Sequence, residues 1–225
     1  MLEHRRLAAV GGLAFVLLDA VVLLLPGTPP KASDSARHIA DVLASHRSEI
    51  LVGMYVAGLA VIALAFFLGS LRAWLARNRA DDGLTAAALG GAMLGMGAQL
   101  VGMLMFYGAT FKVAGQHQDT LVRALTDGGN AGIEISKFGF AAFVAGVCLA
   151  SRHVLPATMY RTGLASVLVL VASAVSLFSE AQLTQLGGGF DLVGSVPAIV
   201  WIALLSLLLG RRPGLPDAAL QPSLS

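Results

Sequence analysis

Six apolar stretches, at approximately residues 7–26, 50–71, 84–107, 131–150, 163–182 and 192–210, leave this chain few folds to choose from. A hydrocarbon core about 30 Å thick is crossed by roughly 20 helical residues, and each stretch is close to that length. Lipid offers no partner to an open backbone, and runs this long exceed a barrel strand, so helices are the remaining solution. The expected fold is all-α, a polytopic membrane protein with six transmembrane helices. It should form one domain over residues 1–212, followed by a tail, 213–225, whose Pro, Gly and Ser content reads as disordered. Composition agrees, with 56% apolar residues, 12% charged residues and a mean hydropathy of +0.78.

Basic residues near span ends are retained on the cytoplasmic side, which orients the bundle. With the N-terminus inside, the inner segments carry nine: Arg5, Arg6, Arg72, Arg77, Arg79, Arg152, Arg161, Arg211 and Arg212. The outer segments carry five: Lys31, Arg37, Arg47, Lys112 and Arg123. Both termini are therefore expected in the cytoplasm, with the protein multi-pass in a bacterial inner (plasma) membrane. Twelve Arg against three Lys, with abundant Ala, Leu and Gly, points to a GC-rich bacterial genome. No compact basic patch with interleaved aromatics occurs, so the net charge of +2 carries no argument for nucleic acid. The first apolar run is longer than a signal-peptide core of about 7–15 residues, and Pro29-Pro30-Lys31 offers no clean cleavage site; it reads as a retained anchor. Cys148 is the single cysteine, which excludes an internal disulfide or a cysteine metal cage within one chain.

Two outer connections carry helical patterns of their own. In SDSARHIADVLASHRSE, Ile39, Val42, Leu43 and Ile50 recur at helical spacing, which predicts an amphipathic helix starting near Ser33 or Asp34. In DTLVRALTDGGN, Leu121, Val122 and Leu125 predict a second short helix, stopped by Gly128-Gly129 before the fourth span. Both are expected as extracytoplasmic caps. Within the third span Gly91, Gly95, Ala98 and Gly102 form a smooth stripe, the signature of a close helix–helix seam, read as internal packing ahead of self-association. Gly53 with Ala57, and Ala142 with Gly146, allow the same reading. Met93, Met96, Met103 and Met105 read as adaptable packing residues.

Asp19, Glu134 and Lys137 are the charged residues well inside the spans. Once the helices are oriented they fall at a similar depth, Asp19 and Lys137 lying about 10 Å from the outer ends at 1.5 Å per residue and Glu134 one turn before Lys137. A charge at the bilayer centre costs on the order of 3 kcal/mol, so such groups face the bundle interior. Glu134 and Lys137, three apart, share a helix face and can pair. One reading makes the three a structural lock, with Asp19 hydrogen-bonded to Lys137. The other adds Tyr55, Gln99, Ser176, Ser179 and Glu180 at similar depth and makes an outward-facing pocket. Its ligand-binding candidates are Asp19, Tyr55, Gln99, Glu134, Lys137 and Glu180, and its occupant a small polar molecule, a lipid head group or a proton. A partner-protein interface or a homo-oligomer is a further use for the same groups.

Signatures of chemistry are missing. The chain has no G-x-S-x-G elbow, H-E-x-x-H helix or phosphate loop, and no span contains a histidine for axial haem ligation. His38, His46 and His117, with Asp41 and Asp119, lie outside the spans and read as solvated side chains ahead of metal ligands. No cofactor, metal or catalytic residue is expected.

The stretch DSARHIADVLASHRSEILVGMYVAGLA, with Arg47 five residues before Val52, and the exit LGSLRAWLARNR resemble a family of small bacterial six-span membrane proteins catalogued as a domain of unknown function. The resemblance covers most of residues 7–210 and implies topology alone, since that family carries no established activity. The functional expectation is a non-enzymatic membrane component or ligand-responsive module. The alternatives are a small-molecule or proton-coupled transporter and an enzyme acting on lipid at the outer leaflet.

Overall fold

The computed structural model describes residues 2–24, 33–114, 116, 118–178 and 193–210, and every regular element among them is helical. The helices are α1 (Leu2–Leu24), α2 (Ala36–Ser45), α3 (Arg47–Arg77), α4 (Asp82–Gly108), α5 (Asp119–Ala150), α6 (Ala157–Ser173) and α7 (Val196–Gly210). A π-helical turn, Ala109–Val113, extends α4, and a 3₁₀ turn, Ala174–Phe178, extends α6. Four segments, Arg47–Arg77, Asp82–Phe111, Asp119–Ala150 and Ala157–Ser176, are long and apolar enough to cross a membrane. Two apolar helices are shorter, Leu7–Val22 and Val196–Gly210. At 1.5 Å per residue the 15 residues of α7 reach about 22 Å, against about 30 Å of hydrocarbon. The tail 213–225 lies outside the described residues.

The helices close into a ring. α1 packs on α3 and α7, α3 on α4, α4 on α5, α5 on α6, and α6 on α7. Many large apolar side chains point outward, unlike those of a water-soluble bundle. On α4 the exposed positions include the large Met93, Leu94, Val101 and Leu104, while the small Ala88, Gly91, Ala92, Gly95 and Gly102 are buried. Leu17, Ile62, Phe66 and Leu168 likewise point outward from other helices. Such a continuous apolar exterior suits a helical membrane protein, in which small residues let backbones approach and large ones meet lipid.

The tightest seam joins α4 to α5. A Cβ on Gly91 would lie 2.8 Å from the Gly139 carbonyl oxygen, and one on Gly102 would lie 2.6 Å from that of Gly129. A Cβ on Gly139 would collide with the backbone of Gly95. The small-residue stripe of α4 is thus an internal seam, and α5 answers it with Gly129, Gly132, Ser136, Gly139 and Gly146. Gly146 meets Ala88 here, and its sequence partner Ala142, though exposed on one side, sets its Cβ against Gly91.

This seam overrides the expected helix stop at Gly128-Gly129. α5 runs unbroken from Asp119 to Ala150, so the second short helix is the first turns of a 32-residue helix. Glycine is a poor helix former by about 1 kcal/mol relative to Ala. Here the contact of Gly129 and Gly132 with Gly102 offsets that cost, because only a residue without Cβ fits there.

The ring has two unlike halves. Away from α2, the ends of α3, α5 and α7 fill the interior with Phe67, Leu71, Leu75, Phe143, Val147, Trp201 and Leu205. The Trp201 ring meets Phe143 edge-on at 6.4 Å, and its Nε1 donates to the Met159 carbonyl at 2.9 Å. At the other end α2 starts from Ser35, whose hydroxyl accepts from the His38 amide, as the Ser/Asp cluster predicts to within two residues. Ile39, Ala40 and Leu43 bury against Ala109 and Val122, with Ile50, Val113 and Leu125 alongside. Arg123 Nη1 donates to the Asp34 carbonyl at 3.1 Å, and Arg47 lies 5.1 Å above the Phe111 ring. These contacts fix α2 to α5 and to the π-helical turn.

Candidate functional site

Rotation of α5 about the glycine seam decides where its charges go. With Gly132, Ser136 and Gly139 turned to α4, Ile135 and Phe138 face outward, and Glu134 and Lys137 face the interior at 1% and 3% exposure. Lys137 Nζ sits 2.6 Å from Glu134 Oε1 and 2.8 Å from Oε2, bridging the carboxylate. Ser176, in the 3₁₀ turn after α6, donates its hydroxyl to Glu134 Oε2 at 2.7 Å. The expected i,i+3 pair is formed, and Ser176 ties it to the neighbouring helix.

Beside this pair lies a cavity of about 100 Å³ bounded by α1, α4, α5, α6 and α7. Its polar lining is Asp19, Gln99, Ser136, Lys137 and Ser195; its apolar lining includes Phe15, Phe140, Val144, Leu170 and Ile202. A smaller cavity between α1, α3 and α4 shares Phe15, Asp19, Gln99 and Phe140 with it. Asp19 and Gln99 therefore stand where the two spaces adjoin. A water-sized sphere needs roughly 10–15 Å³ on this measure, so the larger cavity has room for several waters or a small organic molecule.

The sequence candidates divide. Asp19, Gln99 and Lys137 come together around one space, and Glu134 stands behind Lys137. Tyr55 does not join them; it is 71% exposed on the outer face of α3. The reason is rotational. Gly53, Ala57 and Ala60 take the buried face of α3, which turns position 55 outward. The expected Asp19–Lys137 hydrogen bond is also not formed, since among the described residues Asp19 has neither a hydrogen-bond nor an ion-pair partner. Ser179, Glu180 and His117 lie outside the described residues. No group of three or more His, Cys, Asp or Glu side chains gathers among the described residues.

Sequence reasoning missed Ser136, Ser195 and the rings of Phe15 and Phe140. Phe15 lies four residues before Asp19 on one face of α1, and Phe140 three after Lys137, so helical spacing from the charged positions was the available signal. Ser136 is not free for chemistry, because its hydroxyl donates to the Ile133 carbonyl at 2.6 Å. Ser176 is 1% exposed and is not part of either cavity wall.

Comparison with family models, curated proteins and solved structures found no match to this chain.

Proposed function

We propose that this chain is a six-span protein of a bacterial inner membrane, with both termini cytoplasmic, that works as a non-enzymatic, ligand-responsive module. The observation that carries the reading is the cavity bordered by Asp19, Gln99 and Lys137 in the α2 half of the ring. In this reading α1 and α7 cross the membrane with the four longer helices, and α2 caps the outer mouth. The likeness to small bacterial six-span proteins is part of the same proposal and supplies topology without an activity.

Occupancy of such a cavity would be felt by five helices at once, which is what a responsive module requires. The packed apolar cluster around Phe67, Phe143, Trp201 and Leu205 stands between the cavity and the other end of the ring, which favours a receptor-like pocket over a carrier. Of the two hydroxyls in the described lining, Ser136 is engaged by backbone and Ser195 has no histidine beside it in that lining to activate it, which favours binding over nucleophilic chemistry.

Single cysteines at Ser35, Asn78 and Ser195, probed with a small impermeant thiol reagent in intact cells, test the reading. Native Cys148 is fully buried and supplies little background. Ser35→Cys and Ser195→Cys are expected to label and Asn78→Cys to stay unlabelled. Labelling at Asn78→Cys without Ser35→Cys would reverse the orientation. A Ser195→Cys protein unreactive from the α2 side would remove the outward-facing pocket.

A further inference from the structure

Among the described residues, the charge lining the cavity does not cancel. Lys137 is held by both oxygens of Glu134, so these two groups sum to zero. Asp19 has no ion-pair partner among the described residues and borders both cavities. A carboxylate in largely apolar surroundings keeps its charge at low cost only with a cation close by.

The chemistry of the lining narrows that cation. Hard metal ions take six or more oxygen ligands, and here the described lining offers one carboxylate, the Gln99 amide and the Ser136 and Ser195 hydroxyls, with the Lys137 ammonium at the same wall. Phe15 and Phe140 border both spaces, and aromatic faces attract alkylammonium groups. Leu170 and Ile202 continue the wall with hydrocarbon, which favours a ligand carrying a hydrocarbon part. Room for only several water-sized groups keeps that part short.

We propose that the cavity binds a small primary or secondary alkylammonium. Its N–H groups donate to the Asp19 carboxylate and the Gln99 carbonyl oxygen, and its hydrocarbon lies along the α6–α7 wall. The proposal rests on the pocket reading above and names the ligand class of that pocket.

The test uses the purified full chain in detergent and three probes of equal hydrocarbon length, n-butylammonium, n-butanol and n-butyrate, at matched ionic strength. Thermal midpoints are followed by tryptophan fluorescence. Butylammonium is expected to raise Tm saturably, by about 3 °C at ten times its dissociation constant. Butanol and butyrate should give less than a third of that shift. Asp19→Asn should abolish the butylammonium shift, as should Ala198→Phe, which fills the cavity; Ile202→Phe is the second blocking variant. If Asp19→Asn does not fold, the ranking of the three probes on the wild-type chain decides. Equal or larger shifts with butanol or butyrate that a blocking variant removes would overturn the cation preference and leave the pocket standing. The absence of any shift sensitive to a blocking variant would overturn both. A full butylammonium shift in Asp19→Asn would overturn the role of the carboxylate.

Discussion

Replacing Lys137 with Met keeps an unbranched side chain of similar length in the interior but leaves the Glu134 carboxylate, 1% exposed, without the ammonium that bridges its two oxygens. Ser176 still donates one hydrogen bond, which does not balance a buried charge. Breaking a buried pair from one side costs about 3–5 kcal/mol, chiefly by stranding the remaining ion. For a chain of this size each kcal/mol lowers the midpoint by about 2–4 °C, so Lys137→Met is expected to lower Tm by about 10 °C. Glu134→Gln strands the ammonium instead and should cost a similar amount. The double variant contains no ion and should lose less than either single variant, because a neutral pair of similar volume removes the desolvation penalty along with the attraction. The assay is a double-mutant cycle on midpoints measured at one scan rate in one detergent, with Ser176→Ala as a control that removes a single hydrogen bond to a charged group, about 1.5–3 kcal/mol. Additivity of the two single effects within about 0.5 kcal/mol would refute the reasoning. So would a Lys137→Met protein as stable as the wild type.

The α4–α5 seam makes glycine replacements sharply position-dependent. Gly139→Ala is expected to lose folded protein in a detergent-extraction and size-exclusion assay, since its Cβ meets backbone that cannot move aside, whereas Gly97→Ala, in open space on α4, should be neutral or stabilising by about 1 kcal/mol. Because Ile39 and Leu43 are buried, α2 should exchange its amides more slowly than a free surface helix; Leu43→Ala should speed exchange over 36–45 with little change in the seam, and unchanged exchange there would show that the docking contacts contribute nothing.

The long apolar runs alone determine that this chain is a bundle of apolar helices, because nothing but helix satisfies so much backbone away from water. The common depth of Asp19, Gln99, Glu134, Lys137 and Ser176 is legible too, since alternating helix direction and a rise of 1.5 Å per residue fix position along the axis. The amphipathic 36–45 segment is equally local, with apolar and polar faces written into the spacing and its start legible to within two residues. Rotation about each helix axis is another matter. In α4 the small-residue stripe marks the inward side, but in α3 and α7 apolar side chains cover every face, so periodicity cannot say which side turns inward, and Tyr55, a pocket candidate by depth, stands outside. That choice is made where helices touch. Gly91, Gly95 and Gly102 against Gly129, Gly132 and Gly139 allow an approach that larger residues forbid; this contact sets the phase of α5, carries the helix through Gly128-Gly129, and turns Glu134 and Lys137 inward. The pairing of Lys137 with Glu134, and the separation of Asp19 across a cavity, follow from those phases, because a hydrogen bond requires the angle around the helix as well as the depth along it.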